Sequence, residues 1–203
     1  MLDCREASRA FSGDSMGRDH IAVKKNSIGE ICMPEDQANI NKGVNLPALQ
    51  AFKEKVKRDP SRARRSPAAL AEWVGGDESR VTFGEHVFTI GGPNHPNPMQ
   101  MLLCSFAACD VDMLAMHASF IGVRLESLSV EARGNFDVQA YLGVADQPGS
   151  GYDQIEYTIK VDAPGITQEQ IDYLIERCQK SSPVGDTLAR PVQMKLDFVV
   201  SGG

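Results

Sequence analysis

At 203 residues, with 42% hydrophobic and 24% charged side chains, the chain has the composition of a soluble globular protein and the length to bury a core without staples. Its net charge of −6 argues against a general nucleic-acid binder, which needs a surplus of lysine and arginine to neutralise phosphates. The five cysteines, at positions 4, 32, 104, 109 and 178, are odd in number and scattered, and no secretory pattern precedes them, so a reduced, cytoplasmic setting is expected.

Residues 1–42 are polar, mixed in charge and without a sustained period. They read as an amino-terminal arm or disordered leader ahead of a single domain over residues 43–203. From Asn45 the periodicity begins: Leu46, Leu49, Phe52 and Val56 make a narrow apolar stripe on a helix that ends before Asp59-Pro60. Seven basic residues crowd the stretch from Lys53 to Arg65, opposed only by Glu54 and Asp59; charge patterning of this kind reads as a solvated face. "ALAEWVGGDESRVTFGEHVFTI" then reads as short strands with turns at Gly75-Gly76 and Gly84-Glu85.

A long helix follows. Asn97 suits the N-cap, Pro98 the first helical position, Gln100 the reciprocal capping-box site, and Gly122 the residue just past the end. The segment is apolar nearly all round, which predicts burial on most sides. Asp110 and Asp112 near its centre argue against a membrane span, at about 2.5–3.5 kcal/mol each. Beyond it, Leu128 to Val138 and Ile155 to Val161 alternate as two strands of an antiparallel hairpin. Thr167 and Gln170 open another helix, whose buried face is Ile171, Leu174, Ile175 and Cys178, and Pro183 stops it. A final strand is predicted from the alternation Val192, Met194, Leu196, Phe198, Val200. Strands in runs rather than strict βαβ alternation predict an α+β fold.

Cys104 and Cys109 cannot bridge within one helix. Five residues separate their Cα atoms by ~8.6 Å, beyond the reach of a disulfide. The histidines make no CxxC, HxxxH or HxH grouping with the cysteines, so neither a metal nor another cofactor is expected. Nucleophile-elbow, phosphate-loop and dinucleotide signatures are absent from the sequence. Composition alone leaves all three later cysteines as small core residues.

"NPMQMLLCSFAAC", followed after about 70 residues by "KSSPVGDTL", resembles the OsmC/Ohr family of osmotically inducible protein C and the organic hydroperoxide resistance proteins. The resemblance spans Ala68 to Val200 and rests on Asn97-Pro98, Ala107-Ala108-Cys109, Gly122-Val123-Arg124-Leu125 and Pro183-Val184. It implies an intertwined homodimer, with antiparallel sheets wrapped around long central helices and active sites at the subunit interface. It also implies a peroxidase in which the cysteine matching Cys109 attacks an organic hydroperoxide and becomes a sulfenic acid. In the family a second cysteine then forms a disulfide with it, which a dithiol reopens. An arginine held by a carboxylate stabilises the reacting thiolate. The chemistry is sound on general grounds, because a neighbouring guanidinium favours the thiolate and sulfenic acid needs a thiol before it oxidises further.

Several positions depart from that pattern. The family arginine is matched by Arg80. Its glutamate partner falls at Met99, beside the uncharged Gln100. The second cysteine falls at Ser182, where no disulfide can form, and Cys178, one turn earlier, substitutes only if the helix end frays. Asp112, three residues on and about 60° round from Cys109, is expected to orient the arginine in place of the glutamate, whereas Asp110 is expected to face a polar loop or the partner chain. The expected activity is therefore a single-cysteine hydroperoxide reductase served by an external thiol or dithiol. The alternative is a non-catalytic dimer of the same architecture, binding a small apolar or thiol-bearing ligand at the subunit interface.

Overall fold

A computed structural model describes residues 40–201 of the chain. Helix α1 spans Leu46–Arg58, with the Asn45 side chain accepting from the Ala48 amide and Lys55, Lys57 and Arg58 in the last turn, where cations complement the helix dipole. Asp59 ends it and caps a 3-10 turn, Pro60–Ala63. Strands β1 (Leu70–Gly75), β2 (Glu78–Phe83) and β3 (His86–Ile90) form an antiparallel meander in the order β1-β2-β3. Within the chain this meander leaves Leu70, Trp73, Val74, Phe83, Val87 and Phe88 exposed.

Helix α2 runs from Pro98 to Phe120 and opens with the predicted capping box: Asn97 accepts from the Gln100 amide and the Gln100 side chain accepts from the Asn97 amide. It stops at Ile121, and Gly122 takes the left-handed conformation that turns the chain away (φ 71°). Strands β4 (Ser127–Phe136) and β5 (Tyr152–Asp162) form the antiparallel hairpin. Helix α3 (Gln168–Ser181) carries a second capping box on Thr167 and Gln170. The core lies where α2, the hairpin and α3 meet, built on Met113, Leu114, Ala118, Val123, Ala163 and Leu174.

Three expectations are corrected. The chain does not simply leave α3 for a strand: Ser182 closes α3 and caps a short helix α4, Pro183–Ala189, because proline fits the first turn of a new helix as well as it blocks the interior of an old one. The predicted last strand does not form. Met194, Leu196 and Phe198 are 95%, 83% and 81% exposed and the segment has no regular structure, since alternation prepares a strand face but a ladder also needs an edge to pair with. Helix α2 is buried along one face only, at Phe106, Asp110, Met113, Leu114, Ala118 and Ser119, with Cys104, Ser105, Ala108 and Asp112 exposed.

Of the segment read as a leader, residues 40–42 lie among the described ones, and Asn41 there is buried. Its amide donates to Ser119 Oγ and to the Val123 carbonyl, both at 2.9 Å, and its carbonyl oxygen accepts from the Leu125 amide at 2.7 Å. These bonds satisfy backbone groups in the turn that links α2 to β4. Asn41→Ala would leave them unpaired in a buried place, and a loss of about 1–3 kcal/mol of stability is expected, read as a lower urea midpoint.

Candidate active site

Cys109 lies midway along α2 and is half-buried. Opposite it, at the junction of α3 and α4, Ser182 is buried (3% exposed). The Ser182 hydroxyl donates to Cys109 Sγ at 3.8 Å, within reach for a sulfur acceptor, and accepts from the Gly185 amide at 3.1 Å as the cap of α4. Gly185 is required for this closeness. A Cβ at that position would come within 2.9 Å of Ser182 Oγ and 3.4 Å of the Phe106 ring, so any side chain would push the hydroxyl away.

Asp110, the next residue along α2, is fully buried at 0% exposure. Neither of its carboxyl oxygens has a hydrogen-bond partner among the described residues. This overturns the expectation that it faces a polar loop or the partner chain. The helical spacing explains the placement, because Asp110 falls four residues after Phe106 and three and four before Met113 and Leu114, in the middle of the buried stripe. Burial pushes its carboxyl above the usual carboxylate range, while the neighbouring Ser182 hydroxyl pulls the other way.

Cys178, half-buried on α3, has its thiol pushed up to about 11, first by burial and second by the negative charge of Asp110. Tyr157 on β5, set edge-on to Phe106 with ring centroids 4.9 Å apart, is also raised, by burial and then by Asp110. Beside this group opens a cleft of about 530 Å³, lined by Met99, Leu102 and Phe106 of α2, Tyr157 of β5, Cys178 of α3 and Leu188 of α4, among others. Its walls are mainly apolar, with the Tyr152 hydroxyl donating to the Met99 carbonyl at the rim (2.7 Å).

Of the residues singled out from the sequence, the fold brings Ser182 to Cys109 and sets Cys178 close to Asp110. Within one chain it does not gather the others. Arg80 is exposed on β2, across from Glu72 and Thr89; Gln100 is spent on the capping box; Asp112 and Cys104 are exposed on α2. Among the described residues no group of three or more His, Cys, Asp and Glu side chains is placed to hold a metal ion.

Residues 91–197 match the family model described as OsmC-like protein. Among solved structures, the chain is similar to an OsmC-like protein from Mycoplasma pneumoniae (16% identity, 62% of this chain and 88% of that one, TM-score 0.54). It is also similar to a hypothetical protein from Aquifex aeolicus VF5 (14% identity, 62% and 89%, TM-score 0.50). At such identities the likeness is one of fold. No curated protein matches the chain.

The raised carboxyl of Asp110 gives a pH signature. Its folded-state pKa lies above the unfolded value, so folding takes up a proton. The stability belonging to the neutral acid is full below the unfolded pKa and is lost as pH rises through the folded one. Asp110→Asn cannot ionise. It should therefore be more stable than the wild type at about pH 8 and lose that advantage below about pH 4, measured as the difference between urea midpoints across the range.

Proposed function

Because the chain belongs to the OsmC-like protein family, we propose that it is a thiol-dependent reductase of organic hydroperoxides, with Cys109 as the attacking sulfur. The observation that carries this reading is the Cys109–Ser182 contact. Ser182 stands where the family resemblance expects the second cysteine, and it reaches the first one. The site is thus assembled as a two-residue junction, with a hydroxyl in the place of the resolving thiol.

That exchange points to single-cysteine turnover. A hydroxyl forms no disulfide, and Cys178 sits inside α3 with its thiol held up to about 11, so it is a poor internal nucleophile near neutrality. The sulfenic acid at Cys109 is then opened by an external thiol or dithiol in two exchange steps. The apolar cleft beside the junction suits the organic part of a hydroperoxide.

The working unit in this reading is a homodimer. Exposed apolar residues on the meander, the uncovered face of α2 with its small Cys104, Ser105 and Ala108, and the unpaired stretch from Val192 to Val200 are surfaces a second copy would cover, in keeping with patches larger than a monomer normally shows. Assembly would also let Arg80 of one copy serve the sulfur of the other, where its charge would favour the thiolate.

One observation favours a second reading, a dimer that binds a small apolar or thiol-bearing ligand without turnover: the cleft is lined by Cys178, and Cys109 is not among its walls. Cumene hydroperoxide consumption in the presence of dihydrolipoamide separates the two. The peroxidase reading expects turnover in the wild type that falls at least about a hundred-fold in Cys109→Ser, as for loss of a covalent nucleophile. Consumption no faster than the buffer in both proteins would favour the binding reading. Light scattering on the eluting protein should give twice the chain mass of 22.1 kDa.

A further inference from the structure

A buried carboxyl with no hydrogen bond is expensive to keep. Among the described residues Asp110 has both oxygens unpartnered, and it has no exposure and a position one residue from Cys109. Packing does not need it, since leucine or methionine would fill the same stripe. The Ser182 hydroxyl is near both groups. It donates to Cys109 Sγ, and it lies close enough to Asp110 to favour the charged carboxylate, although they share no hydrogen bond in the resting arrangement. Its contact with Gly185 uses one acceptor position only, and a serine hydroxyl has two.

We propose that Asp110 holds the proton of Cys109 through Ser182, forming a three-residue relay of thiol, hydroxyl and carboxylate. Asp110 touches no substrate; it is a positioning residue that acts through the serine. The relay rests on the peroxidase reading for its chemical purpose. The Ser182 hydroxyl, which donates to the sulfur at rest, first turns its one proton toward the Asp110 carboxylate, and the thiol then passes its own proton to Ser182 Oγ as the serine proton moves to the carboxylate. The thiolate then attacks the terminal oxygen of R–O–OH: an S–O bond forms, the O–O bond breaks, and two electrons pass from sulfur to the peroxide. The departing alkoxide takes the proton back through the same hydroxyl. Cys109–SH and ROOH become Cys109–SOH and ROH, with no other acid or reductant required.

The surroundings suit an internal transfer. Burial favours the protonated acid, so holding the proton is not uphill in the way it would be for a solvated aspartate. From α3 the titratable neighbour is Cys178, and from β5 it is Tyr157. Arg177 turns instead over the Tyr173 ring, 5.5 Å from its centroid. On α4 Asp186 is paired with Arg190, and on β4 Glu131 with Arg133, both pairs being exposed. From α1, Lys53 sits over Phe120, nearly three turns beyond Asp110 on α2. Among the described residues, then, no cation is paired with Asp110, and a proton taken from the thiol supplies the counter-charge.

The test is the pH dependence of Cys109 alkylation by iodoacetamide in the full chain, resolved by peptide mass spectrometry, with no peroxide present. A shared proton makes the wild-type rate rise in two steps, because the singly ionised pair divides between carboxylate and thiolate. Asp110→Asn should rise in one step. Ser182→Ala should lower the first plateau about ten-fold, the scale of one hydrogen bond to a charged group, and Ser182→Thr should restore it. A single-step wild-type profile that overlays that of Asp110→Asn would overturn the relay, as would an unchanged first plateau in Ser182→Ala. Circular dichroism melts confirm folding, and Ser182→Ala stands as the second variant should Asp110→Asn fail to fold. Peroxide consumption reads the other claim: two-step alkylation without turnover would retain the relay and remove the peroxidase.

Discussion

One hydroxyl holds the site together. Ser182 ends α3, caps α4 and donates to the sulfur in the middle of α2, so three helices are referenced to a single oxygen atom. Gly185 leaves room for it, in a place where a Cβ would also meet the Phe106 ring. The surroundings of Asp110 also depend on where that oxygen stands. Capping is usually regarded as local stabilisation, worth about 1 kcal/mol. Here the same bond also aims a side chain at the candidate nucleophile.

The electrostatics of the pocket differ from those of a site that ionises a thiol with a cation alone. Among the described residues, the buried ionisable group next to Cys109 along α2 is an acid, Asp110. A carboxylate opposes a thiolate, and the two are compatible only if they do not carry charge together. Burial of Asp110 enforces this, because a low-dielectric pocket tolerates one charge far better than two. An arginine arriving from a second copy would add to this arrangement without replacing it.

The same physics bears on the apolar surface that the single chain leaves exposed. A helix apolar enough to be covered on most sides is covered on one, and the meander and carboxyl-terminal stretch carry large apolar side chains into solvent. Roughly 25 cal/mol is forgone for each Å² of apolar surface left in water. The folded hairpin, α2 and α3 supply a core of their own, while the meander and the carboxyl-terminal stretch keep their apolar side chains exposed.

Local chemistry was legible in the sequence. The caps at Asn97 and Thr167, the stop at Gly122, the glycine turns of the meander and the break at Pro183 each follow from residues within four positions of one another, and the structure places them as read. The family motif marked Cys109 and Ser182 for the same reason, since it is a pattern along the chain. The tertiary structure alone decided which of two neighbouring aspartates is buried, whether the serine reaches the sulfur, that a second short helix follows the first, and that the last alternating segment finds no strand partner among the described residues. Those outcomes depend on which helix face meets another element and on whether a strand edge is free. Both are set by contacts between residues far apart in the chain, and a window of a few residues holds no record of them.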